Sequence, residues 1–341
     1  MPNYEPNQVV DVQEEFGVIE TGPNKFRSKR PLTKPVPQAR GAYGGNVAAQ
    51  AVIVALRTSP PDFKPHCLHS YFVKPVSSSE LMDWEVDIIS KGKNFCNRSV
   101  KGFQNGEIKY IANISLTRKN SNKIAQAKYD DFVKRQEEKG DDEDEDEDGE
   151  IIQKPFGFQT PYHPWFNNRN LDEIEVDPRG YEVLVYHKII PELLDLKLTP
   201  EEEKVPVAQR RLAFYAKWGI ENEQGYNQPL TNVNQDYQYA GLAVLSDTLF
   251  LTRLARVMRL EDVDLENMVH YFSVSLDHVV YFHDDDFDVT KWMGVTFKAA
   301  RFANKRVVME GELYNDKGVH VATFVQEGLV HLNGLEAGAK L

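Results

Sequence analysis

The same order of segments occurs twice in this chain: a glycine-marked, mostly apolar helical segment, and then four runs with strand character. The helical segments span residues 40–57 in the first half and 239–258 in the second. Small and apolar residues occupy every side of these segments at helical spacing, a pattern typical of helices enclosed by other structure. The sequence therefore predicts two units of similar architecture, each built around one buried helix.

The runs that follow each helix alternate β-branched and aromatic residues with polar ones, which indicates antiparallel strands. The expected strands are 68–75, 84–89, 95–104 and 109–118 after the first helix, and 272–283, 293–299, 306–314 and 319–331 after the second. Leading strands are expected at 19–27 in the first unit, and at 182–190 and 209–218 in the second. Asn105-Gly106 and the segment 315–318 carry the residues that close hairpins.

A long apolar helix wrapped by an antiparallel sheet is the hotdog arrangement, so we expect an α+β double hotdog. The 341 residues are enough for two units of ordinary size. Nine acidic residues within 141–150 repel one another and bury nothing, which predicts a solvated linker. The expected division is an N-terminal hotdog domain at 1–120, a linker at 121–180 with a disordered acidic insert at 137–150, a C-terminal hotdog domain at 181–335, and a tail at 336–341. A Pro-rich aromatic strap at 155–165 is expected to pack on the surface.

Composition excludes several classes of function. The formal net charge is -12, and the chain has no concentrated basic segment of the kind that binds nucleic acid. No uninterrupted apolar run is long enough for a membrane span. The two cysteines and nine histidines show no metal-ligand spacing, and there is no Gly-x-Gly-x-x-Gly fingerprint for a nucleotide. We therefore expect no metal and no cofactor.

Several short segments, spread from about residue 16 to residue 333, carry a resemblance to a known family. They are Tyr43-Gly-Gly-Asn-Val-Ala-Ala-Gln50, His69-Ser-Tyr-Phe72, Gln104-Asn-Gly106, Leu245-Ser-Asp247, Asp277-His278, Phe282-His283 and Val325-Gln-Glu-Gly328. In this order they resemble the type II (TesB-like) acyl-CoA thioesterases, including peroxisomal fungal members. The resemblance implies an enzyme that hydrolyses fatty acyl-CoA to free fatty acid and coenzyme A.

The resemblance also implies which residues carry catalysis: Asp247 after the Leu-Ser pair, Ser275 before Leu-Asp-His, and Gln326 before Glu-Gly. A helix and two neighbouring strands can aim three such side chains at one water molecule. The carboxylate would be the general base, while the hydroxyl and the amide hold the water. Backbone N–H groups near Gly241, expected at the start of the central helix, are candidates for stabilising the oxyanion. The first half lacks these three residues at matching positions, so we expect one active site per chain.

A serine hydrolase would instead use Ser275 as nucleophile with one of the histidines at 69, 278 and 283 as base. The chain lacks the Gly-x-Ser-x-Gly elbow of many such enzymes. We interpret Asp277 and His278 as structural or substrate-shaping residues, and His69 as a residue that lines the site. Weaker candidates for contacts to the phosphates of coenzyme A are Arg40, Lys74, Arg98 and Arg301.

Two rival functions remain open from the sequence: a hotdog enoyl-CoA hydratase that uses Asp277-His278, and a non-catalytic acyl-CoA-binding protein.

The terminal Ala339-Lys340-Leu341 resembles the Ser-Lys-Leu peroxisomal address, and the small residues at 334–338 are expected to leave it exposed. We therefore expect a peroxisomal matrix enzyme that binds an import receptor through this tripeptide. A homo-oligomer is also expected, because hotdog sheets often pair.

Overall fold

The computed structural model describes residues 4–5, 7–139, 151–248, 251–261, 263–264 and 272–340. Most of the acidic insert and the terminal Leu341 lie outside these ranges. The expected disorder of the insert therefore stays a prediction, as do the domain boundaries.

The first half of the chain contains a helix and the strands expected around it. Its elements are β1 (Val10–Asp11), α1 (Val12–Glu15), β2 (Val18–Gly22), β3 (Lys25–Ser28), α2 (Gly44–Arg57), β4 (Lys64–Phe72), β5 (Asp83–Lys91), β6 (Phe95–Gln104), β7 (Glu107–Thr117) and α3 (Asn122–Lys139). The predicted turn at Asn105 and Gly106 joins β6 to β7, and both residues have positive φ, as a two-residue hairpin turn requires.

The second half repeats this order. Its elements are β8 (Val176–Asp177), β9 (Val185–Lys188), α4 (Pro191–Leu194), β10 (Leu212–Trp218), β11 (Ile220–Glu223), β12 (Tyr226–Gln228), β13 (Leu230–Thr231), α5 (Gln235–Leu245), α6 (Leu254–Val257), β14 (Phe272–Ser275), β15 (Asp277–Phe282), β16 (Met293–Ala303), β17 (Arg306–Tyr314) and β18 (His320–His331). Short 3-10 helices occur at Pro164–Phe166, Leu171–Glu173, Pro178–Val183, Leu196–Leu198, Pro200–Lys204, Val207–Gln209, Leu251–Arg253 and Leu335–Gly338.

Within the described ranges, one sheet of fourteen strands runs through both halves. Its order is β2-β3-β5-β6-β7-β4-β15-β18-β17-β16-β10-β9-β8, and β14 also pairs with β18. The halves join where β4 lies antiparallel to β15, with Ser70 opposite His278. Because the sheet is shared, the two helices that it encloses lie in one common core.

Helices α2 and α5 pack against each other in antiparallel orientation. The Tyr43 hydroxyl, at the start of α2, donates to the carbonyl of Val244 near the end of α5. At the opposite ends, Arg57 of α2 lies near Asp236 of α5. Most residues of both helices are buried, as their apolar sequences predict. The predicted α+β double hotdog is confirmed.

The second helix is shorter than predicted, and the segment expected as one strand at 272–283 is two. Helix α5 ends at Leu245, where Ser246 is the C-cap and its hydroxyl donates to the Ala243 carbonyl. Ser, Asp and Thr favour helix ends over interiors because their side chains compete for backbone hydrogen bonds. Leu276 separates β14 from β15, and only β15 reaches across to β4.

The segment predicted as a linker, 121–180, contains a helix in its described part. A helix, α3, occupies Asn122–Lys139, where Lys, Glu, Gln and Ala favour a helix even without burial. The strap prediction is wrong for its first part, since Phe156 and Phe158 are 95% and 96% exposed. From Tyr162 onward the segment packs as expected, with the Tyr162 ring edge-on against Tyr314. In the described ranges, no helix is long and apolar enough to cross a membrane.

A buried ion cluster ties the segment before β10 to the segment after α5. The Glu202 carboxylate accepts hydrogen bonds from Arg256 at 2.8 Å and from Arg259 at 2.9 Å. In the same layer Arg210 donates to the carbonyl oxygen of Lys340 at 2.7 Å, and the Lys340 N–H donates to the Met258 carbonyl. The tail is exposed at 336–338, as expected, whereas the backbone of Lys340 is held by buried groups.

We predict that Glu202→Gln destabilises the protein by about 3 kcal/mol or more, because it removes the paired carboxylate of the buried Arg256 and leaves Arg259 with Glu203, 3.5 Å away, as its counter-charge. Chemical denaturation should show a lower midpoint. The exposed neighbouring variant Glu201→Gln is the matched control and should leave the midpoint unchanged. Equal midpoints for the two variants would contradict the role given to the cluster.

Candidate active site

The structure brings Asp247, Ser275 and Gln326 together in one hydrogen-bonded group. Asp247 lies two residues beyond the end of α5, Ser275 ends β14, and Gln326 is buried in β18. The Gln326 Nε2 donates to Asp247 Oδ1 and to Ser275 Oγ, each at 2.7 Å. One side-chain amide thus links residues from three elements.

Strand register explains why Ser275 and Gln326 meet. Ser275 lies opposite Gly328, so Gln326 is its diagonal neighbour on the same face of the sheet. A Cβ atom at position 328 would lie 2.5 Å from the Leu251 side chain. Because Gly328 has no side chain, Leu251 can pack against the β14–β18 strand pair beside the site.

The first half also contributes to this group, through the N-terminus of α2. The Gly45 N–H donates to Asp247 Oδ2 at 2.8 Å, so the two carboxylate oxygens have separate partners in the two halves. First-turn N–H groups have no acceptor within their own helix, and they attract negative charge. A Cβ at Gly44 would lie 2.7 Å from Asp247 Oδ2 and 2.8 Å from the Phe72 ring. Glycine is required here for close approach.

Sequence reasoning missed this role of Gly44 and Gly45. The signal was present, because Tyr43-Gly-Gly lies in one of the segments that carry the family resemblance. Its interpretation as a helix start was correct, but nothing in the local pattern indicates which distant residue the helix start faces.

Burial shapes the electrostatics of the site. It raises the pKa of Asp247 to about 6, while the hydrogen bonds from Gln326 and Gly45 oppose that rise by stabilising the ionised form. A carboxyl group with this pKa is mostly ionised at neutral pH, yet it is a stronger base than an exposed aspartate. Such a group suits general-base chemistry.

The contacts of Ser275 do not suit a nucleophile. Among hydrogen bonds of the described residues, the Ser275 Oγ bond goes to the amide of Gln326, which cannot accept its proton as a base. His278 instead faces Ser246, at 3.1 Å, and His283 faces Thr323, at 2.8 Å. The geometry favours Ser275 as a group that orients another molecule.

Two predicted site residues lie elsewhere. Gly241 is in the middle of α5 rather than at a helix start, so its N–H belongs to the helix ladder. A Cβ there would meet Trp218 and Val289 at 2.6 Å, which makes Gly241 a packing glycine. His69 is exposed and stacks edge-on against Tyr281, because it points to the opposite face of β4 from the buried Leu68. Neither prediction is supported by the positions of these residues.

The four basic residues predicted to contact the phosphates of coenzyme A differ in how accessible they are. Arg98 is fully buried and donates to the carbonyls of Thr58, Ser90 and Asn97, so it caps the C-terminus of α2 and is unavailable to phosphate. Lys74 is exposed and paired with Glu107. The two remaining candidates are exposed: Arg40, which lies over the ring of Phe272, and Arg301, in β16.

Asp277 and His278 do not form the acid–base pair of the hydratase interpretation. The Asp277 carboxylate accepts from the Glu327 N–H at 2.6 Å, while the His278 ring faces Ser246. Adjacent residues of a strand point to opposite faces of the sheet. This arrangement favours the structural interpretation of both. In the described part of the chain, no group of three His, Cys, Asp or Glu side chains has the geometry of a metal site.

Comparisons with known proteins agree with this geometry. A family model described as acyl-CoA thioesterase N-terminal domain matches residues 32–118, and one described as acyl-CoA thioesterase C-terminal domain matches residues 226–330. Together they cover more than half of the chain. A peroxisomal acyl-coenzyme A thioester hydrolase 1 from Saccharomyces cerevisiae is 23% identical over 92% of both chains.

Human acyl-coenzyme A thioesterase 8 is 22% identical and covers 89% of this chain and 84% of its own. Among solved structures, the acyl-CoA thioesterase II TesB2 of Mycobacterium marinum matches with a TM-score of 0.63 and 19% identity. That match covers 94% of this chain and 98% of the other, and it supports the double-hotdog fold.

The fold and the site define an acyl-CoA thioester hydrolase of double-hotdog architecture. The chain belongs to the type II acyl-CoA thioesterase family. The predictions of family, fold class and enzyme class are confirmed.

The raised pKa of Asp247 predicts how stability depends on pH. The protonated form is favoured in the folded state, so this contribution is complete below the ordinary carboxyl pKa and is lost as the pH rises through about 6. Between pH 4 and pH 7, the wild type should therefore lose stability relative to Asp247→Asn. Denaturation of both proteins across this range checks the sign, and parallel stability curves would exclude a raised pKa.

Proposed function

We propose that this enzyme hydrolyses fatty acyl-CoA with a water molecule that Asp247 activates and that Ser275 and Gln326 hold in place. One amide supports these roles, because Gln326 donates both to the Asp247 carboxylate and to the Ser275 hydroxyl. The carboxylate then has a fixed orientation, and the serine oxygen lies next to it. A water bound between the two would be aligned with a thioester carbon in front of them.

In this mechanism the water oxygen attacks the thioester carbon as its proton passes to Asp247. The tetrahedral intermediate collapses with cleavage of the C–S bond, and the thiolate of coenzyme A takes a proton. Free fatty acid leaves, and Asp247 returns to its ionised form. Since a thioester is already activated and thiolate is a good leaving group, positioning and general-base assistance are sufficient without a covalent intermediate.

The first turn of α2 supplies the oxyanion donor in this proposal. Gly44 begins α2 directly after its N-cap Tyr43, so the Gly44 N–H has no acceptor within the helix. It precedes Gly45, whose N–H holds the base. A carbonyl oxygen that accepts from Gly44 would lie beside Asp247, at the positive end of the helix dipole. Gly44 replaces Gly241 in this role.

We predict that Asp247→Asn lowers kcat by about 10²- to 10⁴-fold, the usual contribution of a general base. Release of free thiol from a fatty acyl-CoA measures this loss, and titration calorimetry should show that the variant still binds substrate. Asp236→Asn, a half-buried position at the other end of α5, is the matched control and should retain activity within about twofold.

The same assay separates the rival functions. Wild-type protein that binds acyl-CoA without releasing thiol would be a non-catalytic binder. Loss of the double bond of an enoyl-CoA without thiol release would make it a hydratase. A fully active Asp247→Asn variant would remove Asp247 from the mechanism.

We further propose that the enzyme works in the peroxisomal matrix and is delivered by an import receptor that reads Ala339-Lys340-Leu341. The name of the yeast relative, a peroxisomal thioester hydrolase, supports this location. Lys340 is held through its backbone and by its ammonium group against Glu261 and Glu203. Receptor binding would therefore require release of Lys340 from these contacts. Homo-oligomer formation stays a prediction.

We predict that full-length protein with an N-terminal fluorescent tag collects in peroxisomes, and that removal of residues 339–341 leaves it in the cytosol. Co-localisation with a peroxisomal marker in yeast measures the change. The truncated protein should keep its thioesterase activity, which controls for misfolding. Unchanged peroxisomal localisation after truncation would exclude the tripeptide as the address.

A further inference from the structure

Asp247 lies between two residues whose hydroxyl groups each contact a buried histidine. Ser246 Oγ lies 3.1 Å from His278 Nε2, and Thr248 Oγ1 lies 2.5 Å from His187 Nε2. His278 is fully buried in β15, and His187 is 3% exposed in β9. The two rings come from well-separated strands of the sheet and converge on three consecutive residues.

The direction of the Ser246 hydrogen bond follows from its other contact. The Ser246 hydroxyl donates to the Ala243 carbonyl at 3.0 Å, which leaves its oxygen as the acceptor for His278 when Nε2 carries the ring proton. The Nδ1 of His278 has no partner among the described residues, as suits an unprotonated nitrogen. Burial lowers the pKa of His278 to about 4, so the ring is neutral at physiological pH.

Thr248 has a similar arrangement. The Tyr43 hydroxyl donates its proton to the Val244 carbonyl, and Thr248 lies beside the tyrosine oxygen. If Thr248 points its proton at that oxygen, it accepts from His187 Nε2–H. His187 Nδ1 also lacks a partner within the described residues. Burial lowers the pKa of His187 to about 3, so this ring is a neutral donor too.

The segment between these rings needs support, because the helix has already ended. The Asp247 N–H reaches the Val244 carbonyl at 3.4 Å, and the Thr248 N–H reaches the Leu245 carbonyl at 3.3 Å. Both distances are beyond those of strong backbone hydrogen bonds. The strands that carry the rings are anchored, and the Ser70 hydroxyl donates to the His278 carbonyl at the junction of the two halves. The sheet can therefore hold the turn through the two histidines.

We propose that His187 and His278 are positioning residues, neutral donors that fix residues 246–248 so that Asp247 meets Gly45 and Gln326 at the same time. This inference rests on the proposed role of Asp247 as base. Neither ring touches the Asp247 carboxylate, so each acts through the neighbouring hydroxyl. A shift of about 1 Å in a catalytic group can lower a rate by about 10²-fold.

The test compares loss and retention of the donor at each histidine. His278→Leu and His187→Leu remove the donor at similar volume, and we expect kcat to fall at least about tenfold with KM changed by less than about threefold. His278→Gln and His187→Gln place an N–H near the original Nε2, and we expect them to recover most of kcat. A purely packing role would not distinguish Leu from Gln in this way.

A double-mutant cycle tests whether each ring acts through its hydroxyl. Ser246→Ala should lower kcat about as much as His278→Leu, and the double variant should be no worse than either single one. Thr248→Val with His187→Leu forms the second cycle. His163→Leu is the matched control, because His163 is a buried ring bonded to the Arg211 carbonyl, in the strap outside the site. It should lower stability and leave kcat unchanged.

The outcomes separate this inference from the function on which it rests. Asp247→Asn is measured beside the histidine variants, with circular dichroism to confirm that each protein is folded. An inactive Asp247→Asn with fully active histidine variants would overturn the positioning role alone. Additive losses in both cycles would also overturn it. An active Asp247→Asn would overturn the proposed base, and the positioning role with it.

Discussion

The antiparallel contact between α2 and α5 is the constraint on which the site depends. It places the N-terminus of α2 against the turn that follows α5, so that Gly45 meets Asp247. The positive end of one helix thereby faces a carboxylate delivered by the end of the other. Neither unit could build this contact alone, because its two partners are about 200 residues apart and belong to different halves of the chain.

The opposite end of the helix pair carries different residues, although the fold is repeated. The residue that follows the C-cap of α2 is Ser59, whose hydroxyl folds back onto the Ala55 carbonyl. The carbonyl of Thr58, the C-cap residue of α2, accepts from the buried guanidinium of Arg98. A cation and a serine therefore occupy the end of α2, whereas the corresponding end of α5 carries Asp247. The repeat preserves the fold and not the chemistry.

The sequence alone was sufficient for the fold class, and it pointed to three polar residues that the structure brings into one hydrogen-bonded group. Periodicity predicts the strands, since alternation is a local property, and the family resemblance identified Asp247, Ser275 and Gln326. It was not sufficient for Gly45, because the facing partner of a helix start depends on long-range packing. It also placed Gly241 at a helix start, since an apolar run does not reveal where α5 begins. Helix ends depend on capping contacts that appear only after folding.

The Gln326 side-chain amide donates hydrogen bonds but carries no charge, and both properties affect the chemistry of the site. Gln326 uses its nitrogen to hold the carboxylate, and an amide neither titrates nor takes the proton that Asp247 receives in the proposed mechanism. A charged lysine or arginine in its place would lower the pKa of Asp247 strongly and weaken it as a base. Burial with neutral donors instead leaves the pKa near 6, high enough for proton transfer and low enough for ionisation at neutral pH. Neutral partners therefore suit the role of base that we propose for Asp247, since the thioester is already activated.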